Sequence, residues 1–215
     1  MTLEFIEAPS PNFDVRTKVP DMLVLHYTGM ETGEGALARL CDPEAKVSSH
    51  YMVEEDGRIF RLVPEERRAW HAGVSFWKGE EGVNHASIGI EIVNPGHEFG
   101  YRPFPQAQID AVIALVADIR TRWQIDDNRI LGHSDVAPAR KIDPGELFPW
   151  KQLAQAGHGI WVEADPAPGD PLAEGAEGVG VFAVQAGLTR LGYDCAPSGR
   201  FDQATRETVS AFQRH

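Results

Sequence analysis

The chain has 215 residues, enough for one domain with a true core plus a small appendage. A formal net charge of −12 argues against nucleic acid as a partner, because a protein that grips a phosphate backbone presents a basic surface. No stretch approaches the ~20 apolar residues of a membrane span, and Met1-Thr2-Leu3-Glu4-Phe5 has neither the basic start nor the apolar core of an export signal.

The expected location is therefore the cytoplasm if the chain is the natural one, and the periplasm if an export signal has been trimmed. Cys41 and Cys195 lie far apart and lack CxxC spacing, so reduced thiols are expected.

In chain order, Asp21 to Tyr27 reads as a buried strand: short, apolar and followed by Thr28-Gly29. Tyr51 to Val63 reads as a hairpin about Asp56-Gly57. Ser87 to Val93 is a third strand, in which Ile88, Ile90 and Ile92 alternate with Gly89 and Glu91. Glu91 then faces away from the isoleucines. Pro105 opens a helix whose apolar face is Ile109, Val112, Ile113, Val116, Ile119 and Trp123. Arg129 to Gly132 is a further strand.

Strands interleaved with helices predict an α/β domain over residues 1–162. Residues 163–178, rich in Pro, Gly and acid, have linker composition. Residues 179–215 read as a small all-helical module. Phe182, Val184, Leu188 and Leu191 run to a stop at Gly192-Tyr193. Gly199-Arg200-Phe201-Asp202 then caps a second helix with Val209 and Phe212. A unit this short rarely folds alone and is expected to dock on the first domain or to lack an element.

His26, His133 and Asp143 carry the chemistry. Both imidazoles stand where an apolar run ends, which is where an open sheet delivers side chains to a ligand crevice. Two His and one carboxylate, with no thiol, are a common catalytic zinc set that leaves a fourth position open to water. Glu91 on the polar face of its strand is either a general base beside that metal or a solvent-facing edge residue. Lys141, two residues before Asp143, points the same way as Asp143 if the segment is extended, and could support an oxyanion; otherwise it is a surface Lys. Arg140 would point the other way and serve structure. His50 fits a place behind the ligands better than among them. Trp70-His71-Ala72-Gly73 suits a substrate-groove wall, with core burial of Trp70 equally open. His85, His97, His158 and His215 have no supporting context.

Six segments now share a pattern: Leu25-His26-Tyr27-Thr28, Ser49-His50-Tyr51, Ala69-Trp70-His71-Ala72-Gly73, Ser87-Ile88-Gly89-Ile90-Glu91, Gly132-His133-Ser134-Asp135-Val136-Ala137-Pro138 and Arg140-Lys141-Ile142-Asp143-Pro144-Gly145. In this order they resemble the type 2 zinc-dependent N-acetylmuramoyl-L-alanine amidases, and within them the bacterial branch that trims cell-wall muropeptides. The resemblance covers about residues 1–160. It implies a mixed central sheet flanked by helices, and cleavage of the amide between the lactyl group of N-acetylmuramic acid and L-alanine. It implies one zinc ion on His26, His133 and Asp143, water activation by Glu91 and transition-state support from Lys141. Trp70, His71 and Asn84 are taken as substrate contacts. The expected partners are peptidoglycan or soluble muropeptides, and the expected state is a monomer.

The tail resembles a peptidoglycan-binding helical domain through Leu188-Thr189-Arg190-Leu191-Gly192-Tyr193, Gly199-Arg200-Phe201-Asp202, Thr205 and Ala211-Phe212-Gln213. That family continues with another turn and helix where this sequence stops, so an incomplete module, or one serving as a lid or brace, is an expectation too. Two other functions compete with the amidase. One is a recognition protein that binds peptidoglycan fragments without cleaving them; such proteins typically lose a zinc ligand, whereas here every position is filled. The other is a zinc peptidase acting on the stem peptide, which only the family resemblance disfavours.

Overall fold

The computed structural model describes residues 3–163 and 171–215. Part of the expected linker, residues 164–170, lies outside the described residues.

A six-stranded sheet forms the centre, in the order β1-β5-β4-β9-β3-β10. Its strands are β1 (Phe5–Glu7), β3 (Met22–Tyr27), β4 (Tyr51–Val53), β5 (Ile59–Arg61), β9 (Ser87–Ile92) and β10 (Ile130–Gly132). Only the β4–β5 hairpin is antiparallel; the other neighbours run parallel. Two small antiparallel pairs decorate it: β2 (Phe13–Val15) with β6 (Arg67–Ala69), and β7 (Phe76–Trp77) with β8 (Glu80–Glu81). The helices are α1 (Gly33–Cys41), α2 (Gly96–Phe99), α3 (Gln106–Arg122), α4 (His133–Val136), α5 (Trp150–Gln155), α6 (Val179–Leu191) and α7 (Gln203–Arg214). Among the described residues no helix is long and apolar enough to cross a membrane.

The alternation read in the third strand decides which layer covers which face. Leu23, Leu25, Ile88, Ile90 and Ile92 point to one side and pack on α3 and α5. Helix α3 contributes Ile109, Val112, Leu115, Val116 and Ile119, all fully buried. At roughly 1.5–3 kcal/mol each, their burial is worth on the order of 10 kcal/mol. Pro105 sits just before the helix rather than in its first turn. Trp123 falls one residue past it, where its indole donates to Glu65.

The opposite face carries Met22, Val24 and His26 of β3 with Ser87, Gly89 and Glu91 of β9. Helix α1 covers it beside Met52 and Phe60. At the other flank α6 and α7 bury Leu188, Tyr193, Cys195 and Ala211 against Met22, Val24, Trp77, Leu131 and Val136. The helical module thus docks on the sheet, as its small size demands.

The buried stripe of α6 is Val181, Gln185 and Leu188. Phe182, Val184 and Leu191 of the expected stripe are exposed. The reason is polar. Gln185 is buried because its amide donates to Thr205 Oγ1 at 2.8 Å and to the Arg200 carbonyl at 3.0 Å, while its oxygen accepts from Gly199 N at 2.8 Å. That network sets the rotation of the helix. Helix α7 starts where Asp202 caps Thr205 N at 2.9 Å.

Candidate metal centre and catalytic cleft

Parallel pairing aligns the chemistry. His26 on β3 is level with Glu91 on β9. Gly132, the last residue of β10, is level with Leu25, so His133 arrives beside His26. Asp143 comes from the turn-rich segment after α4, held by Ser134 N donating to the Asp143 carbonyl at 2.9 Å. All of this happens at the carboxyl ends of parallel strands, where such sheets form crevices.

His26, His133 and Asp143 are buried and could together hold a metal ion. His26 Nδ1 lies 2.9 Å from His133 Nδ1 and 3.1 Å from Asp143 Oδ2; His133 Nδ1 lies 3.0 Å from the same oxygen.

The surrounding hydrogen bonds decide where the imidazole protons sit. Ser87 Oγ donates to the Val83 carbonyl at 2.8 Å, so it accepts from His71 Nε2 at 3.2 Å. His71 Nδ1 is then free to accept from His26 Nε2 at 3.0 Å. Burial first, and the His26 ring next to it, keep His71 neutral by lowering its pKa well below the usual imidazole value. Burial, then His133, push His26 down to about 4. Its Nδ1 is therefore a bare lone pair. His133 Nε2 donates to the Ala72 carbonyl at 3.0 Å, which turns its Nδ1 toward His26 and Asp143. Burial favours protonation of Asp143, but its contacts with His133 and His26 outweigh it and hold the carboxyl well below the usual range. Two imidazole nitrogens and a carboxylate oxygen converge on one point, which is the geometry of a cation site.

Glu91 is half-buried in the same cleft, and its Oε2 has no hydrogen-bond partner among the described residues. Burial, then the Asp143 charge, raise its pKa well above the ordinary carboxylate value, with Lys141 opposing. It is not an edge residue, since β9 lies inside the sheet. A cavity of about 410 Å³ joins His26, Glu91, His133, Lys141 and Asp143. Lys141 reaches it although its segment is a turn rather than extended: Arg140 N and Lys141 N both donate to the Ala137 carbonyl. Arg140 does brace structure, through the Ala72 and Val74 carbonyls, yet it also lines the cavity.

The remaining expectations fare differently. His71 lines the cavity, as a buried ring behind His26. Gly89 makes room for it: a Cβ there would sit 2.5 Å from His71 Cγ. Trp70 and Asn84 do not line the cavity. The Trp70 indole donates to Asp14 at 3.2 Å. Asn84 Oδ1 accepts from Ala72 N at 2.8 Å and His71 N at 3.2 Å, fixing the loop that presents His71. His50 lies one layer further back, accepting from Gly89 N at 2.9 Å. Burial, then Arg16, lower its pKa to about 3.

Sequence reasoning missed Tyr27, Arg39 and His97 as cavity residues. His97 accepts or donates at Tyr27 Oη over 3.1 Å and stacks on Tyr101 at 4.2 Å. The only sequence signal for it was the Asn94-Pro95-Gly96 turn directly after the Glu91 strand. A second hollow of about 350 Å³ lies at the seam with the helical module, among Trp161, Leu191 and Phe212, and contains none of the metal donors.

Comparison with known proteins agrees with this geometry. Residues 16–146 match the family model described as N-acetylmuramoyl-L-alanine amidase, and residues 177–215 match one for a peptidoglycan binding domain. The chain is 40% identical over 214 residues to N-acetylmuramoyl-L-alanine amidase AmiD of Escherichia coli K12, covering 90% of this chain and 74% of that protein. It is 33% identical to 1,6-anhydro-N-acetylmuramyl-L-alanine amidase AmpD of Enterobacter cloacae, over 67% of this chain and 86% of that protein. A solved structure of the Escherichia coli AmiD with anhydro-N-acetylmuramic acid-L-Ala-D-gamma-Glu-L-Lys superposes with a TM-score of 0.77 at 38% identity, covering 94% of this chain and 83% of that one. AmpDh3 of Pseudomonas aeruginosa with an anhydromuramic pentapeptide gives a TM-score of 0.71 at 30% identity, over 92% and 83% of the two chains. The chain belongs to the N-acetylmuramoyl-L-alanine amidase family.

Proposed function

We propose that the protein is a zinc amidase. It cleaves the amide between the lactyl group of N-acetylmuramic acid, or its anhydro form, and L-alanine in peptidoglycan or muropeptides. The observation that carries the reading is the convergence of three donor atoms from His26, His133 and Asp143, with Glu91 level with His26 on the neighbouring strand. Zinc bonds of about 2.0–2.2 Å set tetrahedral ligand atoms roughly 3.3–3.6 Å apart. The donors here stand 2.9 to 3.1 Å apart, a few tenths of an ångström from that triangle. When bound, zinc supplies Lewis-acid polarisation of the scissile carbonyl and acidifies water.

Glu91 takes the proton from the attacking water and returns it to the departing L-alanine nitrogen. Burial raises its pKa, which strengthens it as the base for the first transfer, and the carboxylic acid so formed is the donor for the second; a bound cation would lower the pKa again. Lys141 supports the negative charge that develops on the carbonyl oxygen. Arg39, Arg140 and Lys141 line the cleft and bring it positive charge, which fits the free carboxylate of a γ-linked Glu in the stem peptide. Tyr27 and His97 line it as well. His71, with His50 behind it, orients His26. These groups all come from one chain, so a monomer suffices.

Metal analysis and product mass spectrometry test the reading together. The parent is expected to hold one zinc and release L-alanine-terminated stem peptides, whereas His133→Ala holds little zinc and releases none. Unchanged stoichiometric zinc in His133→Ala would overturn the ligand assignment. Release of stem fragments cut beyond L-alanine would instead make the protein a peptidase. Running soluble anhydro-muropeptides beside purified sacculi separates the two locations: preference for the soluble fragment fits the cytoplasm, and for the polymer the periplasm.

A further inference from the structure

Asp135 lies in α4, two residues after the metal donor His133, and its carboxylate is fully buried. A buried carboxylate needs several donors to be tolerated. One comes from its own loop: Gly132 N donates to Oδ2 at 2.7 Å. The other two come from the C-terminal helical module. Tyr193 Oη donates to Oδ1 at 2.6 Å, and His215 Nδ1 meets Oδ2 at 2.7 Å. His215 in turn stacks on Trp150, with centroids 3.8 Å apart and planes 10° from parallel. Tyr193 packs edge-on against Trp77 at 4.9 Å, and Gly192 accepts from Lys78 N at 2.8 Å.

Helix α4 is only one turn long, too short to hold its own orientation. Its backbone also ties in the second donor segment, since Ser134 N holds the Asp143 carbonyl. Whatever fixes Asp135 therefore fixes the approach of both His133 and Asp143. The same module buries Met22 and Val24, which share the strand face of His26.

We propose that Asp135, Tyr193 and His215 are positioning residues for the metal centre, and that the C-terminal helices work as a fixed brace of the catalytic site. The inference rests on the zinc reading above. It assigns the module a role that does not require it to grip glycan.

The test uses the full-length chain, Tyr193→Phe, His215→Ala and the control Arg206→Ala. Arg206 sits on the exposed side of the module, paired with Glu174. Zinc affinity is measured by competition with a chelating dye, the coordination sphere by the visible spectrum of the cobalt-substituted protein, and sacculus binding by co-sedimentation. Outer partners of metal ligands are typically worth 10- to 100-fold in affinity or activity. Acting one step further out, through the α4 backbone, Tyr193→Phe and His215→Ala should each weaken zinc binding about 10-fold. Both should shift the cobalt bands and lower kcat with KM little changed, while sacculus binding stays at the parental level. Arg206→Ala should match the parent throughout. His215→Ala, at a partly exposed ring, preserves the test if Tyr193→Phe does not fold. A lower melting temperature with parental zinc affinity and cobalt spectrum would make the junction purely structural and overturn the proposal. So would loss of sacculus binding without a zinc effect. A parent that binds no stoichiometric zinc would remove the metal reading, and this inference with it.

Discussion

Replacing His71 by Phe keeps a flat ring of similar size and removes both ring nitrogens. His71 is buried, and its Nδ1 is the acceptor for His26 Nε2 at 3.0 Å. Ser87 is spared, because its hydroxyl still donates to Val83. The damage is confined to one group: the N–H of His26, buried and without a partner. Leaving such a donor unsatisfied costs about 1–3 kcal/mol. For a chain of this size, that lowers the melting temperature by about 2–4 °C per kcal/mol, so roughly 2–12 °C. The larger effect is chemical. With no acceptor at Nε2, His26 can place its proton on Nδ1 instead, and that tautomer cannot ligate. Zinc affinity should fall about 10- to 100-fold.

His71→Gln offers a side-chain oxygen where Nδ1 stood and should recover part of the loss. Gly89→Ala attacks the same link from the strand side, since its Cβ meets the imidazole at 2.5 Å. Chelator competition and thermal melts read all three. If His71→Phe binds zinc as tightly as the parent, something other than His71 sets the tautomer of His26 and the reasoning fails.

Other outcomes follow from the same geometry. Glu91→Gln should keep the fold and zinc and lose about 100- to 10,000-fold in kcat, and near-parental turnover would make Glu91 a bystander. Lys141→Met should lower kcat about 100- to 1,000-fold with KM nearly constant; a raised KM at constant kcat would make it a substrate anchor instead. Chelator removal of zinc held at 1,000 times its Kd should forfeit about 4 kcal/mol of stability, or roughly 8–16 °C in melting temperature, read by calorimetry with and without added zinc. Glu65, buried beneath α3, accepts from Tyr51 Oη at 2.6 Å, Trp123 Nε1 at 2.5 Å and Arg122 at 2.8 and 3.0 Å. Burial raises its pKa, but Arg122, then Tyr51 and Trp123, more than offset it, so the folded pKa lies below the unfolded one. Its contribution is therefore complete above about pH 4.3 and is lost as pH falls further. Glu65→Gln should cost about 1–3 kcal/mol at pH 7 and flatten the acid limb of a denaturation profile, and an unchanged limb would refute the assignment.

What could be read from the sequence was local or periodic. The alternation at Ile88, Ile90 and Ile92 fixed the two faces of β9, and Asp56-Gly57 fixed the hairpin. The spacing of Ile109, Val112, Val116 and Ile119 found α3. The convergent donors His26, His133 and Asp143 were legible as candidates because each follows a recognisable strand end or turn. What escaped depends on distant partners. His71 does line the groove, but nothing near it in sequence reveals that His26 and Ser87 clamp it from two strands. Trp70 suggested a groove wall or a core residue, and its indole is instead held by Asp14 of β2. Helix α1 went unseen since it is short, its start is rich in Gly and only Ala36 and Leu40 of its apolar side chains are buried; the Thr32 cap, accepting from Gly35 N at 3.1 Å, marks it. The rotation of α6 was misread because a buried Gln, not an apolar side chain, decides it.

The reactivity of the site is a property of strand register more than of any single residue. Strands β3 and β9 run parallel, so both end at the same edge and deliver His26 and Glu91 side by side. An antiparallel pair would send one of them to the far end of the sheet. Register also selects the face. One residue of slip in β9 would turn Glu91 toward Leu115 and Ile119 and bring an isoleucine into the cleft. That arrangement is blocked twice over. It would bury an unpaired carboxylate in the apolar layer, and it would remove Gly89 from beneath His71, where no larger residue fits. The apolar core under α3 and the polar cluster above the sheet therefore enforce the same register. The burial that stabilises the fold and the alignment of base with metal donors are two consequences of one pairing.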